Sequence, residues 1–245
     1  MVSMLVTRPE PEASDTAARL AALGIEPVTA PLLRFAVLPT TLPDAAGFAA
    51  LAVTSANGLR ALAERGDLAR FAHLPAYCVG ARTAAAARSL GFGEVIAGSG
   101  DTAALVAMIA EASPTGPIFY PAARERSGDL GKALARHGLM AITSVVYAME
   151  PAEALPEPAR RRLDDGAIAA ALFYSRRTAE IFVALADGLA RRAEIGILCL
   201  AEAVAEPLLA AHFVRVGLAD YPSEEAMMAL ALSFARDQNV GMIAR

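Results

Sequence analysis

The chain has 245 residues, enough for two domains that each bury a core of their own. Hydrophobic residues make up 56% and the formal net charge is −4, with a pI near 5.5. That balance argues against a nucleic-acid or membrane-surface protein, while leaving a local cluster of arginines or backbone amides free to hold a small anion.

The opening stretch from Met1 to Arg8 predicts a strand over Met4–Thr7 and turns polar too soon for a signal peptide. No apolar run approaches the ~20 residues that span a bilayer. Ser14 or Asp15 caps a helix through Leu20 and Leu23 that stops at Gly24. Strands follow at Glu26–Ala30 and Leu32–Leu38, then at Leu51–Thr54, where Asn57 and Gly58 open a helix through Leu62. Ala76–Val79 is a strand, Arg82–Leu90 a helix stopped by Gly91, and Glu94–Ile96 a strand. Asp101 caps a helix through Met108 and Ile109, and Pro117–Tyr120 is a strand. A helix after Ser127 ends at Gly138, Ile142–Met149 is extended, and Pro151–Pro158 has the composition of a linker. The last third alternates again: Ala169–Tyr174, Ile195–Leu200 and Val214–Leu218 as strands, with helices at Arg176–Ala186, Glu202–Ala211 and Ser223–Ala235 before a frayed end. Strands alternating with helices predict parallel sheets covered by helices, an α/β fold.

The chain repeats itself. Leu51–Ser55 resembles Ala171–Ser175, and Cys78-Val79-Gly80 resembles Cys199-Leu200-Ala201, both at a spacing of about 120 residues. Leu20–Gly24 followed by Val28 resembles Leu134–Gly138 followed by Ile142. This strand-helix-strand unit opens one copy but closes the other. One copy is therefore contiguous and inserted, over 36–147, and the other is split between 1–35 and 148–245. The chain crosses between them twice, at Leu33–Val37 and Ser144–Met149, and the two crossings are suited to pair as a two-stranded hinge beside a cleft.

In parallel α/β sheets ligands bind beyond the carboxyl ends of the strands. Those ends carry Thr7-Arg8-Pro9, Thr54-Ser55-Ala56-Asn57-Gly58, Gly80-Ala81-Arg82-Thr83 and Ser175-Arg176-Arg177-Thr178. Each turn opens a helix whose free N–H groups and positive dipole end suit an anion. Taken singly, these hydroxyls are ordinary helix caps and the arginines solvated; taken together, they describe an anion-binding cleft. No Walker lysine motif, G-x-G-x-x-G or G-x-S-x-G elbow occurs. Cys78 and Cys199, each in a short apolar run, read as buried thiols of a cytoplasmic protein. His73, His137 and His212 lie far apart and show no ligand spacing, so no metal site is expected.

The ordered set of Thr7-Arg8-Pro9, Pro31-Leu32-Leu33, Thr54-Ser55-Ala56-Asn57-Gly58, Val79-Gly80-x-x-Thr83-Ala84, Val145-Val146-Tyr147, Phe173-Tyr174-Ser175 and Pro222-Ser223 resembles the uroporphyrinogen-III synthase family along nearly the whole chain. The resemblance implies two flavodoxin-like α/β domains on a double hinge, acting as a monomer without cofactor. It implies a lyase of tetrapyrrole biosynthesis whose substrate is hydroxymethylbilane, a linear tetrapyrrole with eight carboxylates. Such an enzyme removes the terminal hydroxyl as water, inverts ring D through a spiro intermediate and closes the macrocycle. The family's candidate acid falls on Tyr147, and its carboxylate-binding threonine and serine on Thr83 and Ser175. Arg8, Thr54, Ser55, Asn57, Gly58, Gly80, Arg176, Thr178 and Ala201 complete the expected substrate contacts. The turn from Ala201 to Ala205 departs from the family in lacking a hydroxyl and carrying Glu202, which leaves only its backbone N–H groups as donors. The main alternative is a non-catalytic two-lobed sensor of an anionic metabolite, in which Tyr147 packs the hinge and is dispensable. A regulator with an attached DNA-binding domain is disfavoured, because no basic helix-turn-helix follows Ala235.

Overall fold

The computed structural model describes residues 1–126, 128–189 and 191–243, with side chains through residue 238. The chain begins β1 (Ser3–Val6), α1 (Glu12–Ala22), β2 (Glu26–Thr29) and β3 (Leu33–Val37), and after a short 3-10 turn enters β4 (Ala50–Val53). It continues through α2 (Ala56–Glu64), α3 (Leu68–Phe71), β5 (Ala76–Cys78), α4 (Ala81–Ser89), β6 (Val95–Ala97), α5 (Thr102–Ala112), β7 (Ile118–Ala123) and α6 (Leu130–Ala135). The remainder is β8 (Ala141–Pro151), α7 (Glu157–Asp164), β9 (Ala170–Phe173), α8 (Arg176–Leu185), β10 (Gly196–Cys199), α9 (Glu202–Ala210), β11 (Arg215–Leu218) and α10 (Glu224–Ile243).

Two compact units result. One comprises Met1–Arg34 with Glu150–Arg245, and the other Phe35–Met149. The first holds a five-stranded sheet in the order β11-β10-β9-β1-β2, every described pairing parallel. The second holds the six-stranded order β3-β8-β7-β4-β5-β6, with parallel pairings from β8 through β6. Setting β3 aside, the two orders are the same once β7 and β8 stand for β1 and β2. This is the spatial counterpart of the displaced sequence repeat. In both sheets the order is that of a doubly wound fold, whose chain reverses direction between β1 and β9 in one unit and between β7 and β4 in the other. The chain segments at the boundary, β3 and β8, are sheet neighbours. The N–H of Ala152 donates to Leu32 O at 3.0 Å and that of Leu38 to Val146 O at 2.9 Å, the reversed numbering of antiparallel strands.

Each sheet is apolar on both faces, as a parallel sheet must be when helices cover it. In the first unit β9 and β10 are buried throughout, with Phe173, Phe182 and Phe213 packed in a row on one face. In the second, Phe71 stacks on Phe119 at 4.3 Å between centroids and Phe48 closes on both rings. Such ring pairs contribute about 0.5–1.5 kcal/mol each beyond the area they bury. Gly24, Gly91 and Gly138 end their helices at positive φ, as the sequence predicts. Asp101 caps α5 by accepting from the N–H of Ala104 at 2.7 Å.

Several local expectations give way. Helix α1 starts at Glu12, ahead of Ser14 and Asp15; Pro11 occupies its cap, and Ser14 instead bonds the Glu10 carboxylate at 2.7 Å. The proline-rich stretch is not a free linker: Leu155 is buried in the core, and Pro158 sits in the first turn of α7, where a missing N–H costs nothing. Helix α10 runs on to Ile243. Ser127 lies outside the described residues, and Asp129 caps α6 by accepting from the N–H of Lys132 at 3.0 Å.

Gly58 shows how tightly α2 seats on its sheet. A Cβ there would stand 2.7 Å from the carbonyl oxygen of Pro121 on β7, a rigid backbone atom. Alanine normally favours a helix over glycine by about 1 kcal/mol. Here Gly58→Ala is expected instead to lower unfolding free energy by roughly 1–3 kcal/mol in urea denaturation, the usual range for overpacking. A stabilised variant would show that the approach is not tight.

Candidate functional site

The second unit carries its hydroxyl groups at the point where the chain reverses between β4 and β7. Strand β4 ends at Val53, and extended backbone continues through Ser55, at φ −157° and ψ 143°. Side chains along extended backbone point to alternate faces, so Thr54 and Ser55 face opposite sides of the sheet. Each meets one tyrosine. Thr54 Oγ1 lies 3.0 Å from the hydroxyl of Tyr120 on β7. Ser55 is close enough to the phenol of Tyr147 on β8 to lower its pKa. Ser55 also caps α2, accepting from the N–H of Asn57 at 3.2 Å.

Tyr147 is aimed by an irregularity in β8. Ala122 pairs with Val145, but Ala123 pairs with Tyr147, so one residue is extra. Val146 and Tyr147 consequently both turn into the same core, where strict alternation would send one of them to the opposite face. The Tyr147 ring lies 5.5 Å from that of Phe35, which in turn carries the Arg60 guanidinium 4.2 Å above its face. Burial raises the Tyr147 pKa above the ordinary phenol value; Ser55 opposes this, while Tyr120 and Glu125 reinforce it. Tyr147 thus keeps its proton at neutral pH, the state a general acid requires.

Both phenols open onto one cavity of about 340 Å³, bounded by Thr54, Thr102, Tyr120, Glu125, Arg126 and Tyr147 among others. Arg126 is held at its edge by the carbonyl of Ala123, at 2.7 Å. Asn57, in the first turn of α2, has its amide 3.8 Å from the sulfur of Met149. Gly80 and Thr83 belong to the next turn. Gly80 opens α4 with no side-chain cap, and Thr83 is buried within the helix. A Cβ on Gly80 would meet Gly100 Cα at 3.3 Å, so glycine also serves close backbone packing here.

The corresponding reversal in the first unit, between β1 and β9, is filled by the protein itself. The Glu224 carboxylate, in the first turn of α10, accepts from Arg8 Nη1 at 2.5 Å, Thr16 Oγ1 at 3.1 Å and the Tyr174 hydroxyl at 3.0 Å. The Arg8 guanidinium lies 4.0 Å over the Tyr174 ring and also donates to Thr16. Arg8, expected to meet substrate, is therefore committed to an internal carboxylate. Burial, followed by the Glu224 charge, raises the Tyr174 pKa strongly. Ser175 and Thr178 form a closed capping pair, with Ser175 Oγ accepting from the Thr178 N–H at 3.2 Å and meeting Thr178 Oγ1 at 2.8 Å. Arg176 is exposed and pairs with Glu180 and Glu206 on the helix surface. Ala201 opens α9 without a side-chain cap, as Gly80 opens α4. The expected contacts thus fall into two groups, one in each unit. Tyr120, Thr102, Glu125, Arg126 and Glu224 were not legible as site residues; Glu224 is signalled only by its place after Pro222 and Ser223.

Among the described residues no group of three or more His, Cys, Asp or Glu is placed to hold a metal ion, and no helix is long and apolar enough to cross a membrane. Cys78 and Cys199 are free and buried, which pushes their thiols up to about 11 and about 12.

The Glu224 cluster makes a direct prediction. Glu224→Ala leaves the Arg8 charge and two hydroxyls without their acceptor, and is expected to lower unfolding free energy by roughly 2–4 kcal/mol in urea denaturation. Replacing both charges by apolar residues, in Arg8→Met with Glu224→Leu, is expected to recover most of that loss. A single variant within about 0.5 kcal/mol of the parent would show that the cluster is not a tie.

Comparison with known proteins gives a consistent answer. A family model described as Uroporphyrinogen-III synthase HemD matches residues 14–229. The chain is similar to the crystal structure of uroporphyrinogen-III synthetase from Helicobacter pylori 26695, at 20% identity and a TM-score of 0.67, covering 95% of this chain and 99% of that one. It is also similar to a mutant uroporphyrinogen III synthase from the extremely thermophilic bacterium Thermus thermophilus, at 19% identity and a TM-score of 0.57, covering 97% of this chain and 100% of that one. Comparison with curated proteins gave no match. The two structural likenesses establish the fold. The family model covers most of the chain, which belongs to the uroporphyrinogen-III synthase HemD family.

Proposed function

We propose that this chain converts hydroxymethylbilane into uroporphyrinogen III, with Tyr147 as the proton donor to the departing hydroxyl. The observation that carries this reading is a phenol kept neutral by burial, beside Ser55, at the rim of a hydroxyl-lined cavity. The terminal hydroxyl leaves with the Tyr147 proton as water, driven by the pyrrole nitrogen, and gives an azafulvene. Ring D attacks it at its substituted carbon, passes through the spiro intermediate and closes inverted. The proton lost as the pyrrole recovers its aromaticity restores the phenol. Proton count and composition balance as substrate to product plus one water.

Little else is asked of the protein than position and donors. The uncapped starts of α4 at Gly80 and of α9 at Ala201 support carboxylate binding by backbone N–H groups. Ser55 and Thr54 support the phenols, and Asn57 and Thr83 stand at the same strand-end turns. Ser175, Thr178 and Arg176 contribute through their turn rather than as free donors, given their internal partners. In this reading the chain acts as a monomer in the cytoplasm, with 36–147 inserted into the other domain, and without nucleic acid. The buried free thiols are consistent with a reducing compartment. Family membership favours the enzyme over a non-catalytic sensor.

Purified protein given freshly made hydroxymethylbilane is expected to yield the type III isomer after oxidation and chromatography. Type I alone would overturn the assignment. Tyr147→Phe is expected to slow turnover by about 100-fold or more, within the range of lost general acid catalysis, with the fold intact by circular dichroism. In the parent the phenol stays protonated until pH rises through its raised pKa, so the alkaline fall in kcat is expected above about pH 10, the ordinary phenol value. Unchanged turnover in Tyr147→Phe would remove Tyr147 from the reaction.

A further inference from the structure

Tyr120 has no part in the mechanism above, yet its setting parallels that of Tyr147. It is 5% exposed, lies on β7 next to Tyr147's strand, and lines the same cavity. Its hydroxyl lies 3.0 Å from Thr54 Oγ1, and either atom can be the donor. The pair holds two O–H protons and uses one between themselves. Whichever way the internal bond runs, the other hydroxyl proton is left to point elsewhere. Both residues line the cavity, so a ligand acceptor there can take that proton.

The neighbouring groups indicate the kind of acceptor. Thr102 lines the cavity as the first residue of α5, an 11-residue helix whose positive dipole end lies there. Arg126 supplies a cation at the edge, fixed by Ala123 O. Glu125 is an opposing charge; its carboxylate is drawn toward the backbone N–H of Met149, at 3.4 Å. The hydroxyl pair and the Arg126 guanidinium supply the donors here, while Glu125 and the Asp101 cap of α5 carry opposing charges. Tyr147 packs in the core on the other face of β4, while Tyr120 packs on this one, so the Thr54–Tyr120 pair is separate from it.

We propose that the Thr54–Tyr120 hydroxyl pair binds one carboxylate of the tetrapyrrole substrate, holding it beside Tyr147. This rests on the function proposed above and adds a binding residue to it. Tyr120 touches substrate but transfers no proton, so its loss weakens binding more than it slows chemistry.

The test uses the full chain with two readouts: steady-state kinetics on hydroxymethylbilane, and fluorescence titration with uroporphyrin III, an octacarboxylate that undergoes no turnover. Tyr120→Phe keeps the ring and removes the hydroxyl. It is expected to raise KM and the uroporphyrin Kd by about tenfold, the range for losing one hydrogen bond to a charged group, while kcat falls by a smaller factor. Thr54→Val is expected to do the same, and the double variant to be no weaker than either single one, because the pair acts as a unit. Urea midpoints within error of the parent separate this from a folding defect. Unchanged KM and Kd, or a fall in kcat with KM unchanged, overturns the proposal even if the parent makes type III isomer. If the parent makes only type I, the proposed reaction falls, and the carboxylate site stands or falls on the uroporphyrin titration alone.

Discussion

The candidate site depends on one local constraint, the extended backbone that carries β4 past its last ladder residue. Because Thr54 and Ser55 stay extended, they face opposite sides of the sheet; Thr54 meets Tyr120, and Ser55 lies on the side of Tyr147. Were the helix to begin one residue earlier, both side chains would lie on one curved surface and one phenol would lose its neighbour. The same Ser55 caps α2, so the side chain beside the phenol also fixes the helix start. Gly58 then lets α2 close against the Pro121 carbonyl, which holds β7 and its Tyr120 near the turn. The irregularity in β8 completes the set by rotating Tyr147 into the core behind it.

The internal repeat sharpens what this constraint achieves. Two sheets of the same strand order give two reversal points, and an unmodified duplication would leave both open. They have diverged in opposite directions. In the second unit the reversal point keeps a cavity lined by hydroxyls. In the first, α10 inserts Glu224, whose carboxylate is satisfied by Arg8, Thr16 and Tyr174. The first reversal point is thus tied by an internal ion pair, and the second opens onto a cavity.

The sequence made the alternation of strands and helices, the displaced repeat and the glycine helix stops legible, because each follows from local pattern. Val53 to Gly58 and Gly80 to Thr83 stood out since hydroxyls and glycines interrupt apolar runs. Tyr120 was hidden for the opposite reason: Ile118-Phe119-Tyr120 reads as core, and only the partner 66 residues away gives its hydroxyl a use. Arg8 looked available because an arginine after a strand has no visible partner until α10 is placed, 216 residues later. Helix α7 was missed because Pro156 and Pro158 read as breakers, whereas a helix start accepts them. What sequence pattern did not supply was pairing over long separations, which tertiary structure alone creates.

The central claim is that substrate meets a neutral Tyr147 in the crevice of the second unit. Its most direct test is carbon-13 NMR of protein labelled at tyrosine Cζ, with the Tyr147 signal assigned by its loss in Tyr147→Phe. That signal is expected to remain at its neutral position until the pH passes about 10, the ordinary phenol value, and to move when uroporphyrinogen III is added to saturation under anaerobic conditions. A Tyr147 that ionises below that value, or whose signal is indifferent to saturating ligand, would contradict it.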